Sequence, residues 1–144
     1  MKRIVRNCIF ILLCSVIPLG IAFAQTTSEF ENGRQLNKQE VLDLISNKTV
    51  TYRITIGTRN ATSYTTSTMK LNFTKSEEAG GTLSAYATGS STDGKWSVND
   101  AGRLVRQYDK VSWGNKPFSV GVFESGGKYA WKLGGEFQEL LTIQ

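Results

Sequence analysis

Seven side chains between Trp96 and Trp131 carry the types needed to hold a ligand: Trp96, Arg103, Arg106, Tyr108, Trp113, Tyr129 and Trp131. Aromatic rings with polar handles wall small-molecule pockets and protein interfaces, and an arginine among them can fix an anionic group. Phe118 and Lys132 fall in the same stretch. The same rings would equally serve as core and rim in a small sheet that must bury large side chains. The binding role is expected of the group rather than of any one ring.

Reaction chemistry has far less to work with. The chain holds no histidine, and its two cysteines, Cys8 and Cys14, lie in the first 24 residues. Behind them, imidazole acid-base catalysis, thiol chemistry, disulfide stapling and the usual zinc ligand sets are closed. Asp93 and Asp100 stand close to glycines in stretches read as hairpin turns, where aspartate is favoured for its backbone hydrogen bonding. With Asp109 they make no carboxylate cluster, and 99–102 (Asn-Asp-Ala-Gly) lacks the alternating oxygen ligands of a calcium loop. Glu77 and Glu78 are neighbours in a loop and poorly placed as an acid-base pair. Ser46 with Lys48, and Lys75 with Ser76, lack the S-x-x-K spacing of a serine-lysine nucleophile. The sequence therefore assigns no catalytic residue, no metal ligand and no cofactor. Asn47, Asn60 and Asn72 open glycosylation sequons that matter only in a eukaryotic secretory pathway.

Residues 1–24 read as a secretory leader. A basic start (Lys2, Arg3, Arg6) precedes an apolar run from Ile9 to Ala24, broken by Pro18 and Gly20 and closing on the small-residue pattern at 22–24. Cleavage after Ala24 is expected. The run is too short and too interrupted for a retained membrane helix, and Leu12 and Leu13 before Cys14 do not fit a lipid-attachment site. Three of the 17 basic residues leave with the leader, so 14 face the 12 acidic ones in the mature chain. A near-neutral balance with scattered Lys and Arg gives no phosphate-tracking patch, and nucleic acid is not an expected partner. A bacterial protein of the periplasm or the medium, with no stable membrane anchor after cleavage, is the expected setting.

The elements that must position the aromatic group are mostly strands. Residues 25–35 are polar and turn-rich and read as a flexible lead-in, and 36–144 as one domain. A helix is predicted over 38–46: Asn37 caps it, Glu40 completes a capping box, and Leu36 with Val41 forms a hydrophobic staple. Its apolar stripe (Val41, Leu44, Ile45) must lie against a sheet. From Thr49 the period becomes two, with Val50, Tyr52, Ile54 and Ile56 on one face. Turns are predicted at 57–62, 77–81, 91–94 and 99–102. The strands between and after them carry Met69, Leu71 and Phe73; Leu83, Ala85 and Ala87; 95–98; 103–111; 117–123; 128–133; and 136–143. A four-residue loop at 99–102 would pair Trp96 with Val105, whereas a shift of one would pair it with Leu104 or Arg106 and decide which arginine faces inward. Ala85 and Ala87 leave room for the helix or for a ligand. The fold expected is mainly β (α+β): a short amphipathic helix, then about seven or eight antiparallel strands in a curled meander or small barrel.

Gly94, Trp96, Gly102 and Leu104, together with Leu36 and Glu40 at the helix start, resemble a family of small secreted bacterial domains of unknown function with a G-x-W … G-x-L-C element. Val105 stands where that family has cysteine, and the second family cysteine near Phe118 is also missing. The resemblance implies a signal peptide, a short helix and several strands, and no particular activity. The function expected is non-enzymatic binding of a small or lipid-like ligand between helix and curled sheet, with Trp96, Tyr108 and Trp131 as walls. The alternative is a protein-binding module, such as an inhibitor of a secreted enzyme or an envelope component, using an aromatic patch or an open strand edge.

Overall fold

From Lys48 onward the chain alternates inward and outward side chains. In the computed structural model, which describes residues 29–56 and 65–144, that alternation builds eight consecutive antiparallel strands. They are β2 (Lys48–Ile56), β3 (Thr65–Glu77), β4 (Gly80–Ala87), β5 (Ser90–Val98), β6 (Arg103–Tyr108), β7 (Phe118–Ser125), β8 (Lys128–Leu133) and β9 (Glu136–Ile143). A two-residue strand, β1 (Arg34–Gln35), and helix α1 (Lys38–Ile45) precede them. Each strand of the eight pairs with its sequence neighbours, and β2 also pairs with β9, so the meander closes into an eight-stranded barrel. Closure removes the open edges a flat sheet would present. The expected β fold is thus found, with the curl carried through to a complete ring. The expected leader at 1–24 and the turn at 57–62 lie outside the described residues.

Helix α1 begins as its sequence dictates. The Asn37 side chain accepts from the Glu40 amide at 3.0 Å, and the Glu40 carboxylate accepts from the Asn37 amide at 2.8 Å. The hydrogen bond from the Asn37 amide, with the Arg34 guanidinium beside it, holds the Glu40 carboxyl below the usual carboxylate range. Leu36 and Val41 are both buried, as a staple requires, and Leu42 and Ile45 complete the buried stripe while Leu44 is only half-buried. The helix lies across one end of the barrel, touching β2, β5 and β6. Lys38 donates to Asp100 in the β5–β6 turn, tying the helix start to that hairpin.

Three hairpins differ from expectation. The turn predicted at 91–94 is strand instead. The reversal is a two-residue loop at Thr88 and Gly89, both with positive φ (49° and 75°), which matches the twist of paired strands. Asp93 therefore sits inside β5, accepting from Ser84. Gly94 is in the wall because β6 runs hard against it: a Cβ there would lie 2.1 Å from the Gln107 carbonyl oxygen. The turn predicted at 77–81 narrows in the same way, with Gly80 and Gly81 already in β4. At 99–102 the loop is one residue shorter than four. Asn99 and Arg103 face each other, the Arg103 amide donating to the Asn99 side chain and the Asn99 amide to the Arg103 carbonyl, and Gly102 takes φ 71°. The pairs become Val98 with Leu104 and Trp96 with Arg106. The pairing of Trp96 with Val105 is overturned, Arg106 points inward and Arg103 outward. The strand predicted to run through Val111 ends at Tyr108, and Val111–Trp113 form a 3-10 helix in which Val111 is 76 % exposed.

The second half of the stretch read as a lead-in belongs to the wall. Strand β1 pairs with β7 at Phe123 and Glu124, just beyond the residues that β6 occupies. Ahead of it, 29–31 is helical, and Phe30 is fully buried against Phe137, which in turn meets Phe123 edge-on. These rings form a small apolar cluster outside the barrel.

Removing the Asn37 side chain should cost about 1 kcal/mol. Gly102→Ala should cost more, because the left-handed φ disfavours a side chain and its Cβ would lie 2.7 Å from the Leu36 carbonyl oxygen. Urea unfolding of the two variants is expected to rank them in that order, with the same slope as the parent.

Candidate functional site

An eight-stranded barrel is just wide enough for its own side chains to fill it or for one small ligand. The half nearest α1 takes the first course. Val50, Leu71, Phe73, Leu83, Leu104, Val120 and Val122 are buried there with almost no exposure. Trp96 is part of this packing: its ring meets Phe73 edge-on at 5.5 Å and its indole N–H donates to the Thr74 carbonyl. At that end, where the ligand is expected beneath the helix, these described side chains are buried against one another. A shallow groove of about 330 Å³ does flank the helix, between Leu36, Glu40, Asp43, Leu44, Lys48 and Tyr129, and its wall carries three charges.

Midway along the barrel the interior turns polar. Arg106, from β6, is 1 % exposed and projects among aromatic rings. Its guanidinium carbon lies 4.8 Å from the Trp131 ring centroid, 4.9 Å from Phe118 and 5.9 Å from Tyr52. One nitrogen reaches the Tyr52 hydroxyl at 3.4 Å, longer than the usual N–H···O range. Its Nε has no hydrogen-bond partner among the described residues, and neither has the buried Trp131 Nε1 or Gln138 Oε1. All 12 acidic side chains of the chain stand at described positions, and none pairs with Arg106. Several are engaged elsewhere on the surface, Glu40 with Arg34, Asp100 with Lys38, Glu29 and Glu139 with Lys128.

Toward the end opposite α1 the packing loosens into a recess of about 350 Å³, lined by Ile54, Met69, Ala87, Thr88, Ser90, Ser112 and Trp113. Its position follows from local chain geometry. The Asp109 amide donates to the Asp93 carbonyl and the Lys110 amide to Thr92 Oγ1, folding the chain after β6 back across the start of β5. The 3-10 helix then stands Trp113 beside the mouth, where its indole N–H donates to Ser90 and its ring meets Tyr108 edge-on. Ala87 leaves the opposite wall open. Met69 joins the recess to the interior, because its sulfur accepts the hydroxyl hydrogen of Tyr52, the group that Arg106 also reaches. Burial pushes the Tyr108 hydroxyl up to about 12; the Arg106 charge opposes this, and Tyr52 adds to it.

Of the seven residues singled out in the sequence, the fold brings four together: Arg106, Tyr108, Trp113 and Trp131. Trp96 packs on Phe73 in the half nearest α1. Tyr129 opens on the groove beside α1. Arg103 lies on the outer face, bonded to Ser119. Three residues went unremarked as site residues: Tyr52, Met69 and Gln138. Tyr52 and Met69 each sit within a period-two apolar face, where a hydroxyl and a thioether were the available signals. No family model, curated protein or solved structure matches this chain.

A buried cation without a counter-ion is expensive, and replacing such a group with an apolar side chain of similar length often stabilises a protein by about 1–4 kcal/mol. Arg106→Met is therefore expected to raise the urea midpoint. The Tyr108 hydroxyl titrates near 12 when folded against 10.0 otherwise, so its contribution is full below pH 10 and is lost as the pH rises through 12. Tyrosinate absorbance should show one step near pH 12 that is missing from Tyr108→Phe, with stability falling over the same interval.

Proposed function

We propose that this protein is a non-enzymatic binding protein that holds a small or lipid-like ligand at the barrel mouth opposite α1. The observation that carries this reading is the apolar recess of about 350 Å³, whose Met69 wall touches Tyr52, the residue that a buried arginine with no carboxylate partner reaches. Its volume falls at the low end of the range typical of small-molecule sites, and its make-up suits one: Ile54, Met69, Ala87 and Trp113 as walls, Thr88, Ser90 and Ser112 as a polar rim. Export to the periplasm or outside the cell is part of the same proposal and is supported by the basic start, apolar run and small-residue close of residues 1–24. So is membership of the small secreted bacterial family, which rests on Gly94, Trp96, Gly102 and Leu104, the residues of the β5–β6 hairpin and its turn.

A protein-binding module draws less support. The exposed large apolar side chains among the described residues, Tyr86, Val111, Leu133 and Leu141, stand on four different elements. Each strand of the closed ring already has a partner on both sides.

The uncharged dye N-phenyl-1-naphthylamine, which brightens in apolar surroundings, tests the reading. It should bind with one saturable site, and Ala87→Phe, which fills the recess, should weaken binding at least about tenfold while leaving the far-ultraviolet circular dichroism unchanged. No saturable enhancement with the parent protein, or equal affinity in the filled variant, would sink it.

A further inference from the structure

The strongest feature that binding of an apolar molecule leaves unexplained is the set of donors beneath the recess. Tyr52 donates its hydroxyl hydrogen to the Met69 sulfur, a weak acceptor. Arg106 meets that same hydroxyl only at 3.4 Å, and its Nε is unpartnered among the described residues. The Tyr52 hydroxyl thus links the Met69 thioether, which lines the recess, to a buried guanidinium, in a barrel interior that holds no carboxylate among the described residues. A guanidinium carries its charge at any physiological pH, so the deficit is permanent. Cation–π contact with Trp131, Phe118 and Tyr52 offsets part of the cost of burial and satisfies none of the N–H groups.

We propose that the ligand of this recess is a carboxylate-headed amphiphile, whose head replaces the Met69 sulfur, accepts from the Tyr52 hydroxyl and pairs with Arg106. The inference rests on the recess being the binding site and adds the chemical class of its occupant. Methionine suits the displaced position because its unbranched side chain, with several rotatable bonds, can swing aside without disturbing the backbone. The tail then lies along Ile54, Ala87 and Trp113. A carboxylate matches the planar fork of the guanidinium, and in the desolvated interior such charge-assisted hydrogen bonds are strong. The site thus selects for a head and a tail together, and neither part alone uses all of it.

Displacement of N-phenyl-1-naphthylamine by decanoate, decan-1-ol and acetate at pH 8 separates the possibilities. Decanoate is expected to displace the dye at a concentration at least about tenfold below that of decanol, with acetate ineffective in the same range. In Arg106→Met and Arg106→Gln the gap between decanoate and decanol should close while the dye still binds. Equal displacement by acid and alcohol in the parent, or a gap that survives in both variants, overturns the inference and leaves the recess as a site for neutral ligands. Displacement by acetate as effective as by decanoate overturns it in favour of a simple anion site. Failure of the dye to bind the parent at all removes the underlying reading, and this inference with it.

Discussion

One positive charge, sealed inside a ring of strands with no negative charge to answer it, organises this molecule. Everything around Arg106 can be read as accommodation of that group: Trp131 and Phe118 turn their faces to it, Tyr52 lends a hydroxyl oxygen, and the barrel wall excludes water from it. An arginine in such surroundings weakens the folded state relative to an apolar substitute. Sites that lower stability in this way are expected where function demands them, because selection for folding alone would remove them.

The barrel makes that arrangement possible by dividing its interior unequally. At the α1 end, leucines, valines and two large rings pack together in one cluster, and a capped, stapled helix lies over them. At the other end alanine replaces bulk at position 87, and the chain between β6 and β7 crosses the rim instead of plugging it. Rigidity at one end and space at the other come from the same alternation of inward side chains, differing only in their size. Hydroxyl, thioether and guanidinium groups occupy the boundary between the two regimes.

Much of this was legible beforehand, and the misreadings have definite physical sources. Asn37, Glu40, Leu36 and Val41 announced the helix start because capping is a local event with a fixed spacing. Alternation announced the strands for the same reason. Glycine is ambiguous in sequence: Gly80, Gly81 and Gly94 read as turn residues, yet they serve places where neighbouring strands run too close for a side chain, which is a property of the assembled wall. The register of the β5–β6 hairpin turned on whether Asn99 joined the loop or paired across it, a one-residue question that moved Arg106 from possible surface cation to interior charge. Ala87 was recognised as room left over, without indication of which end it would open. Tyr52 and Met69 looked like ordinary members of an apolar face, since their meeting with an arginine more than 30 residues away in sequence depends on the ring closing.

That closure has a cost in time. The Thr49 amide and carbonyl bond to those of Gln144 across the β2–β9 seam, so the first and last staves of the barrel meet across more than 80 residues of intervening chain. Such long-range pairing folds slowly, because loop entropy is spent before any reward arrives. A polypeptide lacking its β9 stave would carry two bare edges and an unsheltered guanidinium, a form hazardous if left to linger at high concentration.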